Sequence, residues 1–221
     1  MSSSRGLDVS GYGWTRDDLP PTDAGCIDLR RFFGFSDGSD RPLDLEIGSG
    51  KGTFLVQQGP CEPEVDFLGI EWAKAFWRHA ADRARRHALA NVRLLWHDAT
   101  VFVPAYVPDR AFRRVHLYFP DPWPKARHHK RRSFQKPFLL EMHRVLEDAD
   151  RPGFGELHVA TDHPGYFDWM EEHAALVADR FERHPFVPPA SAGEGEWVGT
   201  NFERKYRQEG RTFQGMVLRK R

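Results

Sequence analysis

The chain has 221 residues, 40% of them hydrophobic and 29% charged, and its 32 basic and 32 acidic side chains cancel to a formal charge of zero. That length suits a single domain with a full core, and that composition excludes disordered and fibrous classes. The balance hides an asymmetry: residues 1–44 hold eight Asp and five Arg, whereas residues 201–221 hold seven Lys or Arg against two Glu.

The amino terminus, Met-Ser-Ser-Ser-Arg-Gly-Leu-Asp, lacks the apolar stretch of a signal peptide, and no run of residues reaches the length of a membrane span. A cytoplasmic protein without membrane contact is expected. Residues 1–42, with Gly11, Gly13, Pro20 and Pro21, read as an irregular segment ahead of one domain over 43–221. From there, apolar and polar stretches alternate as in a parallel sheet with crossover helices. Strands are predicted at 43–47, 66–70, 92–97, 112–119 and 155–161, and two more at 181–187 and 212–218 close the sheet. Between them, Ala73, Phe76, Trp77, Ala80, Ala84 and Ala88 share one face of a helix over 73–88. Phe134, Phe138, Met142, Val145 and Leu146 mark a second helix over 133–147 with Ser133 as its N-cap, and Tyr166, Met170, Ala174 and Val177 mark a third. No internal repeat and no second core interrupt the pattern.

Chemistry concentrates where the predicted strands end. The first strand runs into Glu46-Ile47-Gly48-Ser49-Gly50-Lys51-Gly52, whose glycines allow a tight turn and close approach of a ligand to the backbone. The second ends in Glu71, 19 residues after Gly52, where an acid can grip ribose hydroxyls. The third ends at Asp98, an acid able to accept from an adenine amino group; as a bland alternative, both Glu71 and Asp98 could be helix N-caps. A nicotinamide dinucleotide and S-adenosylmethionine could both use such a site, but Glu46 would repel a pyrophosphate and suit a cationic aminoacyl sulfonium.

The fourth strand leads into Tyr-Phe-Pro-Asp-Pro-Trp-Pro-Lys-Ala-Arg-His-His-Lys-Arg-Arg, residues 118–132. Pro120, Pro122 and Pro124 should hold Asp121 and Trp123 in a rigid turn. Six Lys or Arg and no acid follow between Lys125 and Lys136, the composition expected of phosphate neutralisation. Cys26 and Cys61 have neither the number nor the spacing of a disulfide framework, and the 11 histidines form no metal-site pattern, so no metal is expected.

Together with Thr161-Asp162 and Thr200-Asn-Phe-Glu-Arg-Lys-Tyr206, these elements make residues 43–221 resemble the tRNA (guanine-N7)-methyltransferase family. The resemblance implies an α/β, Rossmann-like, seven-stranded S-adenosylmethionine-dependent methyltransferase sheet with helices on both faces. It implies methyl transfer from S-adenosylmethionine to N7 of a guanine in the tRNA variable loop, with Asp121 as catalytic residue. Glu46, Gly48, Gly50, Glu71, Asp98 and Asp121 correspond to donor-binding positions. Lys125, Asp162, Thr200, Asn201, Phe202 and Glu203 correspond to tRNA-binding positions, and Arg127, Lys130, Arg131 and Arg132 lie in the run expected against RNA. Asn201 stands where the family usually has Lys, Ser49 replaces a commoner aromatic, and the acidic amino-terminal segment replaces a basic arm. No obligatory protein partner is expected, and the chain would act as a monomer or homodimer. Competing readings are a methyltransferase acting on another RNA or on a protein side chain, an inactive RNA-binding module on the same fold, and a nicotinamide oxidoreductase.

Overall fold

A computed structural model describes residues 6–34 and 40–221. In chain order the elements are β1 (Gly13–Thr15), β2 (Leu43–Ile47), α1 (Thr53–Cys61), β3 (Asp66–Glu71), α2 (Lys74–Arg86), β4 (Val92–Trp96) and α3 (Ala99–Tyr106). They continue with β5 (Arg114–Tyr118), α4 (Lys136–Val145), β6 (Glu156–Thr161), α5 (Pro164–Ala175), β7 (Phe181–Pro185), α6 (Asn201–Gln208) and β8 (Gln214–Lys220). The strands form one sheet in the order β1-β4-β3-β2-β5-β6-β8-β7. All neighbours are parallel through β6, and β8 runs antiparallel to both β6 and β7.

The strand order reverses between β2 and β5, so the carboxyl edge there opens into the crevice where ligands settle in such sheets. One face of the sheet is covered by α1 and α2, with Phe54, Leu55, Trp77 and Ala80 buried, and by Phe186, Trp197 and Val198 of the loop after β7. The other face carries α3, α4 and α5, with Phe102, Leu139, Met142 and Tyr166 fully enclosed. Burial of each such side chain contributes roughly 2–3 kcal/mol, which is why central strands such as β3 are buried at every position.

Several predicted features shift. Residues 1–5 and 35–39 lie outside the described residues, but the remainder of the amino-terminal segment is not irregular. Gly13–Thr15 pairs with β4 as an eighth strand, and Leu29, Phe32 and Phe33 enter the core. Gly13 signals this only in hindsight, because a Cβ there would meet the Trp77 ring at 2.8 Å. Ser133 is not a helix cap; α4 starts three residues later with Gln135 at the cap position and proline in the first turn, where no N–H donor is needed. The strand predicted over 112–119 shortens to β5 because Phe119 turns into the left-handed region with φ of 51°. α1, α3 and α6 have no counterpart among the predicted helices; their sequences are short, and α1 and α3 contain Pro60 and Pro104.

Candidate active site

The glycine loop after β2 is held by backbone bonds: Gly48 N–H and Ser49 N–H both donate to the Ile70 carbonyl, at 2.9 and 3.1 Å. Gly48, Gly50 and Gly52 all have positive φ, a conformation in which a side chain would be strained. Beside Gly48 and Gly50 the space is open for 4 Å, whereas a Cβ on Gly52 would strike Ala80, so this third glycine serves helix packing. Glu46, next to last in β2, is 5% exposed and its Oε2 has no hydrogen-bond partner among the described residues; Ser49 Oγ is likewise unpartnered. Burial, reinforced by the nearby Glu71 carboxylate, pushes the Glu46 carboxyl up to about 8.

Glu71 is placed at the end of β3, as its position suggested, but its carboxylate already works on the scaffold. Oε2 accepts from Gly50 N–H and Oε1 from Ala73 N–H, each at 2.7 Å, tying the glycine loop to the start of α2. Asp98 caps α3, with Oδ1 accepting from the Thr100 amide and hydroxyl at 2.8 and 2.7 Å. The capping alternative therefore describes Asp98, and the carboxylate remains exposed at the carboxyl edge of β4. Trp72, directly after Glu71, is 75% exposed. Nothing in the residue pattern signals this, since an aromatic beside an acid reads equally well as core.

The proline-rich segment leaves β5 with Phe119 and Trp123 both at positive φ, 51° and 42°. Non-glycine residues in that region store roughly 1–3 kcal/mol of strain, which the surroundings must hold in place. Two contacts do so. The Phe119 ring stacks on Phe202 at the start of α6, with centroids 4.9 Å and planes 27° apart, and meets Phe213 edge-on at 5.6 Å. Arg132 Nε donates to the Pro122 carbonyl at 2.9 Å while its guanidinium lies over the rings of Tyr166 and Trp169 at 4.9 and 5.0 Å. The product is an exposed Asp121 on a turn anchored at both flanks.

The basic run forms a 3-10 turn, Ala126–Arg131, with Lys125 at its cap. Lys125, Arg127, Lys130 and Arg131 are exposed and make no ion pair among the described residues. Arg131 covers the Trp123 ring at 5.0 Å and His128 meets its edge at 5.8 Å, so both ring neighbours belong to the protein. Arg132, grouped with the RNA contacts by its sequence neighbours, is only 4% exposed and braces the turn from within.

The third wall comes from the carboxyl end of the chain. Thr200 Oγ1 caps α6 by accepting from Glu203 N–H at 3.1 Å, and Asn201 and Phe202 are exposed. Glu203 departs from its expected role. It is fully buried, and its carboxylate accepts from the amides of Trp197, Val198 and Gly199 at 2.6, 2.8 and 2.9 Å, which leaves no open face toward RNA. Asp162, after β6, is bound by Arg211 at 2.5 Å, and Arg211 also lies 3.8 Å over the Tyr206 ring. Arg211 and Phe119 were missed in the sequence, where Arg211 looked like one more basic residue of the tail.

A buried, unpartnered carboxylate beside an open glycine turn is a donor set for a cation with a slender body, and it fits the aminoacyl sulfonium end of S-adenosylmethionine. A Rossmann-like sheet with such an edge at its switch point defines an S-adenosylmethionine-dependent methyltransferase. Residues 40–215 match a family described as putative methyltransferase. The chain belongs to the tRNA (guanine-N(7)-)-methyltransferase family: it is 36% identical over 213 residues to the protein of that name from Halorhodospira halophila, covering 94% of this chain and 86% of that one. It is 35% identical to the protein of the same name from Rhodopirellula baltica, over 97% of this chain and 76% of that one. Among solved structures, an S-adenosylmethionine-dependent methyltransferase from Aquifex aeolicus superposes with a TM-score of 0.51 at 15% identity, covering 86% of this chain and 93% of that one. The antibiotic-resistance methyltransferase Kmr gives the same TM-score at 17% identity over 84% and 89%. These two likenesses concern the fold. No helix among the described residues is long and apolar enough to cross a membrane.

Proposed function

We propose that the protein methylates N7 of a guanine in tRNA, in the variable loop, using S-adenosylmethionine. The observation that carries the reading is the strained turn that presents Asp121 beside four exposed cations, Lys125, Arg127, Lys130 and Arg131, without ion pairs among the described residues, at the sheet edge that also holds Glu46, whose Oε2 is unpartnered among them. When bound, S-adenosylmethionine supplies an electrophilic methyl group on a sulfonium. Glu46 would face the donor's amino group, Gly48 and Gly50 would leave room for it, and Glu71 and Asp98 would receive the ribose and the adenine amino group.

Guanine N7 carries a lone pair and no proton, so no residue has to act as a general base. The work left to the chain is orientation, which can contribute about 7 kcal/mol or more. Asp121 accepts from guanine N1–H and N2–H, donors that adenine cannot offer together, and it stabilises the positive charge that grows on the purine. Lys125 donates to O6 or to a neighbouring phosphate. Arg127, Lys130 and Arg131 neutralise the backbone and set position without reading sequence. Asn201 precedes Phe202, whose ring stacks on Phe119 of the same turn, and Asp162 holds Arg211 over the Tyr206 ring next to Phe202.

Asp121→Ala should lower turnover by about 100-fold or more while tRNA affinity, measured by filter binding, changes little. Unaltered turnover would remove Asp121 from the catalytic role.

A further inference from the structure

A cavity of about 570 Å³ lies on the sheet face that α1 shares, between the carboxyl end of α1 and the proline-rich residues 185–190. Its floor breaks the pattern the fold demands. Under a cover, alternate residues of strands should be apolar. Here Arg114, His116 and Tyr118 of β5, Glu156 and His158 of β6, and Arg219 of β8 line it instead. Such a breach of local rules is expected where a site has been built.

The acids of the cavity are already committed. Glu62 pairs with Arg113 at 2.9 Å and lies 3.6 Å from Arg114. Glu156 takes His158 at 2.9 Å and Arg114 at 3.4 Å. His116 is spent on Asp44 and the Tyr118 hydroxyl, at 3.1 and 2.9 Å. Two nitrogens are left over: Arg219 Nε, whose guanidinium also donates from Nη2 to the Ala149 carbonyl at 2.8 Å, and His184 Nε2 are closed off from solvent with no hydrogen-bond partner among the described residues. The nearest acid to His184 Nε2 is Glu182, at 3.7 Å, beyond hydrogen-bond reach. Leaving a buried donor unmet costs about 1–3 kcal/mol, and buried donors are seldom left so. Pro185, Val187, Pro188 and Val217 supply an apolar wall. Among the described residues no three His, Cys, Asp or Glu converge as metal ligands, so the histidines do not form a cation cage.

We propose that this cavity is a second ligand site, for a small organic anion whose carboxylate or phosphate meets Arg219 and His184 and whose apolar body rests on the proline wall. The volume lies within the roughly 300–1,000 Å³ of small-molecule sites. Neither Glu46, nor the glycine loop, nor the turn over 119–132 lines it, so the proposal stands or falls independently of the substrate.

The test is calorimetric titration of the full chain with phenyl phosphate and with benzoate, with and without saturating S-adenosylhomocysteine. Saturable binding of at least one probe at one site per chain, indifferent to S-adenosylhomocysteine and weakened at least tenfold in Arg219→Gln and His184→Gln, is expected. The tighter probe identifies the head group. Both variants should keep the native near-ultraviolet circular dichroism. No saturable binding of either probe, displacement by S-adenosylhomocysteine, or unchanged affinity in both variants would overturn the proposal.

Discussion

The raised carboxyl of Glu46 makes donor binding a proton-coupled event. With its pKa near 8, set by burial and then by Glu71, Glu46 is mostly protonated in the free protein at neutral pH. A cationic amino group stabilises the ionised form, so binding expels the proton. The ionised fraction for a pKa of about 8 rises about ninefold between pH 6 and pH 7, equivalent to about 1.3 kcal/mol. Donor affinity should rise by that factor over this interval, in which the donor's α-amino group stays protonated. Calorimetry with S-adenosylmethionine in buffers of different ionisation enthalpy should find close to one proton released per donor bound. Glu46→Gln should bind more weakly, with little pH dependence and no proton release. The same shift has a stability consequence of defined sign. A carboxyl raised in the folded state favours folding while protonated and loses that contribution as pH climbs from its unfolded value of about 4.5 toward 8. Donor-free Glu46→Gln should therefore melt higher than the parent at pH 8. A flat affinity between pH 6 and pH 7, or a slope that survives in Glu46→Gln, would refute the reasoning.

Further outcomes follow from the other walls of the site. Glu203→Ala strips acceptors from three backbone amides and should cost about 3 kcal/mol or more of stability, seen as a lower melting temperature; an unchanged melting temperature with lost tRNA affinity would return Glu203 to the RNA surface. Arg127→Ala combined with Arg131→Ala should weaken tRNA binding uniformly across sequences and reduce the slope of log affinity against log salt by about 2. An unaltered slope would take the 3-10 turn out of the interface. Phe202→Ala removes the ring that holds Phe119, so turnover should fall at least about tenfold while donor affinity stays constant; full turnover would mean the turn holds itself.

The sheet was legible because buried parallel strands read as apolar runs and because each ends in a glycine or an acid. The stretch from Phe67 to Ile70 in β3, followed at once by Glu71, illustrates the point. The eighth strand was not, since three residues carry no periodicity and β1 exists only because β4 offers it an edge. At the site, the types of residue were readable and their assignments were not always. Arg132 and Glu203 sit within motifs whose neighbours are exposed, and only packing shows that the first braces Pro122 and the second organises residues 197–199. Contacts such as Phe119 with Phe202 and Asp162 with Arg211 join segments far apart in sequence, where no spacing rule applies. The polar floor beneath residues 185–190 was visible as Arg-x-His-x-Tyr and Glu-x-His within two strands, but its meaning depends on which face those strands turn to α1.

The most direct measurement is methyl transfer from labelled S-adenosylmethionine to unmodified tRNA by the purified protein, followed by digestion and identification of the product nucleoside. The expected result is 7-methylguanosine, confined to the variable loop and lost in Asp121→Ala. A bound donor with no methylated tRNA, or label on any other nucleoside, would contradict the assignment of the Asp121 turn to guanine.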